Sequence, residues 1–484
     1  MSLPEWCRTC RESAGVADLS EIVFASATRQ AQLIRRGEVS PVELVTEYLE
    51  RIERFDGDIN SFVTVTAESA LEEARRAQRS LSHEHLPPFV GVPITIKDLT
   101  EVEGVRFTAS VKPFADKVGE TDAASVTRIK DAGFIILGKT NTPELGTLCV
   151  TESELNGACR NPWDPSLTPG GSSGGAAAGV AAGFSPIAHG SDGGGSIRIP
   201  ASCCGLYGLK PSRGRVSSAP GGGDLAGLGV QGPLARTVED AAALLDVMAG
   251  YEVGDPYWAP PPERPFLREV GAPPGRLRIA VTTQAPNFAP VAEEVVAATM
   301  EAAETLEGLG HIVEEAAPEW ADPEITPLFV TLWQARSVDG CEPQELELIN
   351  RTLIESGAQT SSVEYVSALS RLQRKARGIV AFWRDYDLLL TPTLALPPVP
   401  VGWVFEFDHP WEQFARMGLF IPFTPLINLT GQPACSLPLH WTEEGIPIGV
   451  QLIGRPAGEA MLLRVSAQLE EARPWAQRRP QLLR

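Results

Sequence analysis

The chain is long, strongly acidic and moderately apolar. It has 484 residues, with 61 acidic against 41 basic side chains and a formal net charge of −20. Because such a charge repels phosphate backbones and anionic lipid surfaces, we expect neither nucleic acid nor a membrane as a partner. No apolar run approaches the ~18 residues of a membrane span, and residues 1–6 lack the basic start of a secretory leader. We therefore expect a cytoplasmic protein.

In chain order, helices come first and strands follow. Helices are predicted over residues 19–36, 41–55 and 67–79, with Ser40 as the N-cap before Pro41. They form an N-terminal helical layer, residues 1–80. Beyond it, apolar strands alternate with helices: strands at 134–137, 187–189, 277–281 and 388–390, and helices at 176–182, 238–249 and 291–309. This alternation predicts an α/β fold with a mixed, mostly parallel central sheet sandwiched by helices.

No long linker divides the remainder, so residues 81–484 are predicted to form one core. The Pro-rich segment 258–274 is the best candidate hinge, and the helical region 324–383 is a candidate cap. The eight cysteines include Cys7-x-x-Cys10 and the pair Cys203-Cys204, and we expect all of them to be reduced. Since none of the six histidines shows metal-ligand spacing, we predict no metal and no cofactor.

Two glycine-rich runs that contain serine are the most informative motifs. They are Gly170-Gly171-Ser172-Ser173-Gly174-Gly175 and Asp192-Gly193-Gly194-Gly195-Ser196-Ile197-Arg198. Glycine allows backbone amides to approach a ligand closely. A phosphate-binding loop would need a lysine after the glycines, and a dinucleotide fingerprint would need a strand before them; neither is present. The pair of runs indicates an acyl-transfer site rather than a flexible linker.

A lysine upstream completes this pattern. Val90, Val92, Ile94 and Ile96 alternate with other residues, which predicts a strand that ends at Lys97. A lysine carried by so apolar a strand is expected in a desolvated pocket, where its pKa falls and the neutral amine becomes available as a base.

Together these residues resemble the amidase signature family. The similarity extends over nearly the whole chain, through the runs at residues 137–141, 205–211, 232–240, 386–393 and 428–434. The resemblance implies a triad in which Ser196 is the nucleophile, Ser172 the bridging serine with a cis peptide bond, and Lys97 the base. A serine hydroxyl needs such a proton acceptor to act as a nucleophile at neutral pH.

Neighbouring residues are expected to support this triad. The amides of Gly193, Gly194, Gly195 and Ser196 are predicted to form the oxyanion hole. Asp192 and Arg198 are predicted to fix the loop through charge-assisted hydrogen bonds, with Ser173 in the same network. Although His189 lies close to Ser196 in sequence, we expect it to be a packed histidine and not a base.

The substrate is less well defined by the sequence. Residues 403–423 are unusually aromatic, and Trp403, Phe420 and Phe423 either line a substrate pocket or fill the core. Glutamine-handling members of the family carry an acidic residue near position 423–424, which is absent here. We therefore expect a small-molecule substrate, a hydrophobic or aryl amide, with esters and carbamates as further substrates. Residues 155–164 resemble nylon-oligomer hydrolases and urethanases.

Two alternatives stay open at this point. One is the glutaminase subunit of a tRNA-dependent amidotransferase, and the other is a catalytically idle scaffold of the same fold. The idle scaffold is disfavoured because every triad position is filled. The free enzyme is expected to be a monomer or a homodimer.

Overall fold

The computed structural model describes residues 19–222, 226–336 and 338–481. The Cys7-x-x-Cys10 pair therefore lies outside the described residues. The helices are α1 Leu19–Ile22, α2 Ala27–Arg35, α3 Pro41–Ile59, α4 Ala67–Ser80, α5 Ala124–Asp131, α6 Gly174–Ala181, α7 Arg198–Cys204, α8 Val238–Met248, α9 Glu293–Gly308, α10 Ile325–Gln334, α11 Leu348–Ala358, α12 Ser362–Ala381, α13 Pro410–Phe420, α14 Pro425–Thr430 and α15 Glu459–Ala472.

The strands form one large sheet and one small hairpin. They are β1 Phe62–Val65, β2 Pro93–Lys97, β3 Ile135–Thr140, β4 Glu152–Ser153, β5 Gly157–Ala158, β6 Ile187–Asp192, β7 Tyr207–Lys210, β8 Val230–Ala235, β9 Arg278–Val281, β10 Ile312–Glu315, β11 Leu388–Pro392, β12 Ala434–Trp441 and β13 Pro447–Ile453. The large sheet has 11 strands in the order β1-β3-β2-β6-β8-β7-β12-β13-β11-β9-β10, and β4 pairs with β5.

The predicted α/β class, with a mixed central sheet flanked by helices, is confirmed. Parallel pairing occurs in two blocks, β3-β2-β6 and β11-β9-β10. Between them, β6-β8-β7-β12-β13-β11 pair in antiparallel fashion. The alternation of strands and helices did not predict this antiparallel centre, because β7, β8, β12 and β13 were not recognised as strands.

Within the predicted N-terminal layer, residues 19–80 form helices α1 to α4 and one strand, β1. Ser40 caps α3 in a capping box with Glu43. The short strand β1 then pairs in antiparallel fashion with β3 at the sheet edge. The structure thus joins residues 62–65 to the main sheet, which the sequence prediction missed because the strand is only four residues long.

Helix α6 shows how the glycine-rich run is held in place. Each of its eight residues is buried and small. A Cβ at Gly175 would lie 2.4 Å from the Asn141 nitrogen and 2.5 Å from the Ser61 oxygen, so the helix start can approach the backbone only as glycine. This close packing places the serines that precede α6 against the ends of β2 and β6.

The Pro-rich segment 258–274 is anchored to the core. Phe266 is buried, and its amide donates to Asp246 at 2.7 Å. Arg215 holds the Pro260 carbonyl at 2.5 Å. These contacts give no support to the predicted hinge. Among the described residues, no helix is both long and apolar enough to cross a membrane.

Candidate active site

The predicted site residues meet where β2 and β6 end. Lys97 is the last residue of β2 and Asp192 is the last of β6, and these strands run parallel, so their carboxyl ends lie side by side. Ser172 and Ser173 come just before α6, and Ser196 lies between β6 and α7. The Lys97 Nζ donates to Ser172 Oγ at 2.7 Å. The Ser173 amide donates to the Ser196 carbonyl at 3.2 Å, which ties the two glycine-rich runs together.

Lys97 sits in an environment that disfavours its charge. Its side chain is buried, and its Nζ is 2.7 Å from the Ser172 hydroxyl and 3.4 Å from the Ser191 carbonyl. Burial lowers the pKa of Lys97 to about 7, although the nearby Asp192 carboxylate acts in the opposite direction. The amine is therefore substantially neutral at neutral pH.

The serine run adopts the conformation that the resemblance implied. The Gly171–Ser172 peptide bond is cis. A Cβ at Gly171 would lie 2.6 Å from the Val150 carbonyl group, so only glycine fits there. The Ser173 hydroxyl donates to the Ser191 carbonyl at 3.1 Å and accepts from the Ser191 amide at 3.3 Å. Ser173 thus fastens its run to β6, in keeping with its predicted supporting role.

Asp192 and Arg198 form a buried ion pair inside the loop that carries Ser196. The Arg198 Nε and Nη2 donate to the two carboxylate oxygens at 3.0 and 2.9 Å. The same oxygens accept from the Gly195 and Ile197 amides at 2.8 and 3.2 Å. Burial by itself would raise the pKa of Asp192, but the Arg198 guanidinium holds it well below its usual range. Because both side chains are buried, they are not ordinary surface charges.

Residues from the far end of the chain complete this network, and the sequence analysis gave them no role. Asn428 donates to the Asp192 carbonyl at 2.8 Å and to its carboxylate at 2.9 Å. The Thr424 hydroxyl donates to the Gly194 carbonyl at 2.8 Å. Gln451 accepts from Arg198 at 2.7 Å. Asn428 lies in a run that carried the family resemblance, which was the only signal available.

One of the predicted oxyanion-hole donors is already engaged. The Gly195 amide donates to Asp192, so this part of the prediction is corrected: that N–H is used within the loop. Among the described residues, the amides of Gly193, Gly194 and Ser196 have no protein acceptor. These three donors remain available to a ligand.

His189 is a packed residue of β6. It is buried, and its Nε2 lies 2.8 Å from the Gln231 side-chain oxygen. Burial lowers the pKa of His189 to about 4, so the ring is neutral at neutral pH. None of its hydrogen bonds reaches a serine of the site.

A cavity of about 330 Å³ opens onto Ser196 and Gly194. Its wall is mostly apolar and comes from α10, α13 and the segments around β4 and α14; it includes Leu148, Cys149, Ile199, Trp320, Ile325, Phe329, Val330, Trp333, Phe414, Met417, Ile421 and Leu426. Asp322 is the one acidic residue among the lining residues. It is paired with Lys375 and accepts from the Glu324 amide at 2.9 Å.

The three aromatic residues predicted to line the pocket do not do so. Phe420 and Phe423 are fully buried in two separate apolar clusters. Trp403 packs on Phe420, with ring centroids 6.1 Å apart, and under the Arg416 guanidinium. The sequence left two interpretations of this segment, lining of a substrate pocket or filling of the core. These three residues pack in the core and do not line the cavity. On α13, Phe420 faces the core whereas Phe414 and Met417 face the cavity; Trp403 and Phe423 lie outside this helix.

Comparison with known proteins matches this geometry. The family model described as Amidase matches residues 43–463. A putative amidase of Synechocystis sp. is 40% identical over 460 residues, covering 94% of this chain and 89% of the relative. The 6-aminohexanoate-cyclic-dimer hydrolase of Paenarthrobacter ureafaciens is 39% identical over 489 residues, covering 95% and 97%. The solved structure of a 6-aminohexanoate cyclic dimer hydrolase has a TM-score of 0.90 at 36% identity, covering 96% of this chain and 99% of that one.

Fold, site and sequence together define a hydrolase that acts on carbon–nitrogen bonds of amides. The chain belongs to the amidase family, and the resemblance to the amidase signature enzymes is confirmed.

Proposed function

We propose that this amidase hydrolyses hydrophobic amides through an acyl-enzyme on Ser196, with Ser172 and Lys97 as its proton relay. The observation that carries the proposal is the buried 2.7 Å hydrogen bond from Lys97 to Ser172 beside an apolar cavity that exposes Ser196. A relay of this kind needs a base that is neutral at working pH, and the burial of Lys97 supports that requirement.

The proposed reaction follows from these positions. Ser196 Oγ attacks the amide carbonyl, and its proton passes to Ser172 while Ser172 passes its own to Lys97. The negative charge on the tetrahedral oxygen is stabilised by the amides of Gly193, Gly194 and Ser196. The proton then returns along the same path to the leaving amine. Water takes the place of the amine in a second cycle, which releases the carboxylic acid and free Ser196.

The proposed substrate class rests on the cavity wall. Aliphatic and aromatic side chains dominate it, which favours an acyl or amine group with a large apolar surface. The similarity to a cyclic-dimer hydrolase supports amides of aliphatic chains. The same acyl-enzyme chemistry would serve esters and carbamates of similar shape. We also propose that residues 324–383 cap the site, since α10 forms one wall of the cavity.

The amidotransferase alternative finds little support in the site. Free glutamine carries an ammonium and a carboxylate, and the one lining carboxylate, Asp322, is already paired with Lys375. Glutamine-handling relatives are expected to carry an acidic residue near position 424. Here that residue is Thr424, and its hydroxyl donates a hydrogen bond to the Gly194 carbonyl. We propose that the enzyme works alone in the cytoplasm as a monomer or homodimer. Light scattering of the purified protein would measure its oligomeric state.

Covalent labelling tests the nucleophile. A fluorophosphonate should modify Ser196, and Ser196→Ala should abolish both the label and the release of p-nitroaniline from acyl p-nitroanilides. Ser202→Ala is the matched control, because Ser202 lies nearby on α7 but its hydroxyl is engaged by the Gly449 amide at 2.9 Å. Label on Ser172 or Ser173, or full activity in Ser196→Ala, would refute the assignment.

A further inference from the structure

An arginine lies directly behind the wall of the substrate cavity. Arg336 follows α10, where its Nε donates to the Trp333 carbonyl at 3.0 Å and its Nη1 donates to the Thr147 hydroxyl at 3.0 Å. Its guanidinium also lies over the Trp333 ring, 5.0 Å from the ring centroid. Trp333 and Thr147 both line the cavity that exposes Ser196. The positive charge is therefore separated from the substrate by a single layer of side chains.

Trp333 also connects this arginine to the reaction centre. A side chain at Gly193 would begin 3.5 Å from the Trp333 ring, so the indole packs against the loop that carries Ser196. The cavity that exposes Ser196 therefore also runs along Trp333, in front of Arg336.

Nothing in the described part of the chain neutralises this charge. Three buried cations have a carboxylate partner: Lys139 pairs with Asp98 at 2.8 Å, Arg198 with Asp192 at 2.9 Å and Arg215 with Glu459 at 3.0 Å. Arg336 forms no such ion pair with a described residue, and burial lowers its pKa to about 10 with no carboxylate acting against it. Arg336 is partly buried, and a partly buried charge without a counter-ion is costly, which makes an anionic ligand a natural complement.

Two hydrogen-bond donors at this end of the cavity are also unused. The Arg336 Nη2 and the Trp333 Nε1 are buried and have no partner among the residues that the structure describes. Thr147 brings no negative charge to balance Arg336. Its hydroxyl donates to the Asn350 side-chain oxygen at 2.6 Å and accepts from the Arg336 Nη1. Unsatisfied buried donors are rare in folded proteins. Trp333 lines the cavity and Arg336 lies behind it, so both unsatisfied donors are at the Trp333–Thr147 end of the wall.

We propose that the preferred substrate is an amide whose apolar body carries a carboxylate, and that Arg336 is the charge that selects it. This inference rests on the proposed function. The aliphatic and aromatic wall holds the body, and the carboxylate lies toward the Trp333–Thr147 end, where it comes closest to the Arg336 charge. The attraction acts even across a side-chain layer, since little water is present in such a wall to screen it. Asp322 does not oppose it, because Lys375 neutralises that carboxylate.

Matched pairs of substrates test the proposal. On the acyl side, adipic acid mono-p-nitroanilide is compared with hexanoyl p-nitroanilide. On the amine side, 4-(hexanoylamino)benzoate is compared with 4-(hexanoylamino)benzamide. In at least one pair, the wild-type kcat/KM should favour the carboxylate by roughly 10- to 100-fold, mainly through KM, as expected for the attraction between two opposite charges that a poorly hydrated side-chain layer separates. Arg336→Met should reduce this ratio about tenfold or more, and Arg336→Lys should retain part of it.

A second arginine provides the control. Arg416 stacks on Trp403 but already pairs with Glu406 at 2.6 Å, so Arg416→Met should leave the ratio between paired substrates unchanged. If Arg336 serves only to end α10, Arg336→Met would lower kcat/KM by the same factor for both substrates of a pair. That result would overturn the proposal. A wild-type ratio near one in both pairs would also overturn it, and this needs no variant to fold.

The same experiment separates the two proposals. Hydrolysis of the neutral anilides without any carboxylate preference would contradict the role of Arg336 but leave the proposed function intact. Absence of all turnover together with an unlabelled Ser196 would contradict the proposed function itself.

Discussion

The pH dependence of acylation offers the sharpest test of Lys97. If its pKa is about 7, the neutral amine rises from ~10% at pH 6 to ~90% at pH 8, so kcat/KM should increase about tenfold and then level off. Activity should be lost as the pH falls through the pKa of Lys97 in the folded protein, because a base must be unprotonated to accept a proton. A solvated lysine would instead give less than ~1% neutral amine at pH 8 and a continued rise toward pH 10.

Replacement of the amine gives the magnitude of its contribution. Lys97→Met keeps an apolar chain in the buried site but removes the proton acceptor, and loss of a general base typically costs about 10²- to 10⁴-fold in rate. The assay is p-nitroaniline release over pH 5.5–10, with circular dichroism to verify folding. Lys117→Met is the control, since Lys117 is an exposed lysine distant in sequence from the glycine-rich runs.

Two results would refute this reasoning. A flat profile between pH 6 and pH 9 in the wild-type enzyme would mean that no group with a pKa near 7 controls acylation. Near wild-type activity of a folded Lys97→Met variant at neutral pH would mean that the proton leaves Ser196 by another path.

Further predictions concern the loop and the cavity wall. Thr424→Val removes the hydroxyl that holds the Gly194 carbonyl, so kcat should fall about tenfold with KM unchanged, and Thr424→Ser should restore it. Gly195→Ala places a Cβ 2.3 Å from Thr424 Oγ1 at a φ of +127°, and activity should drop at least about 100-fold in steady-state assays. Phe420→Ala should cost about 3–5 kcal/mol in denaturant unfolding without changing the preference among acyl chain lengths. Phe329 lies in the cavity wall, so Phe329→Ala should change the preference among acyl chain lengths and cost less stability than Phe420→Ala. An unchanged chain-length preference would contradict this assignment of the wall.

Much of the site could be predicted from local sequence. Glycine-rich runs around Ser172 and Ser196 and an apolar strand that ends at Lys97 are features of near neighbours in the chain, and they carry the family resemblance. In the structure, Lys97 ends β2, Ser172 precedes α6 and lies within hydrogen-bond distance of Lys97, and Ser196 follows β6; the Gly171–Ser172 bond is cis. The buried Asp192–Arg198 pair was also foreseeable, since both residues flank the same loop.

Other features depended on contacts between distant segments. Thr424, Asn428 and Gln451 lie more than 200 residues after the loop that they hold, so no spacing rule could connect them. The use of the Gly195 amide by Asp192 depends on the exact turn of that loop. The antiparallel centre of the sheet likewise results from strands that come together only through long-range pairing.

The aromatic segment 403–423 shows the difference between what local sequence indicates and what tertiary packing decides. Its composition indicated a large apolar surface, but an apolar side chain gains by burial equally well in a core or against a substrate. Only the packing of α13 decided that Phe420 faces the core while Phe414 faces the cavity. The sequence alone indicated the family and the three residues proposed to react, because these belong to short motifs whose conformations are local. The tertiary structure decided which side chains line the cavity, and it left Arg336 without a counter-ion among the described residues, because these features depend on which distant segments come together.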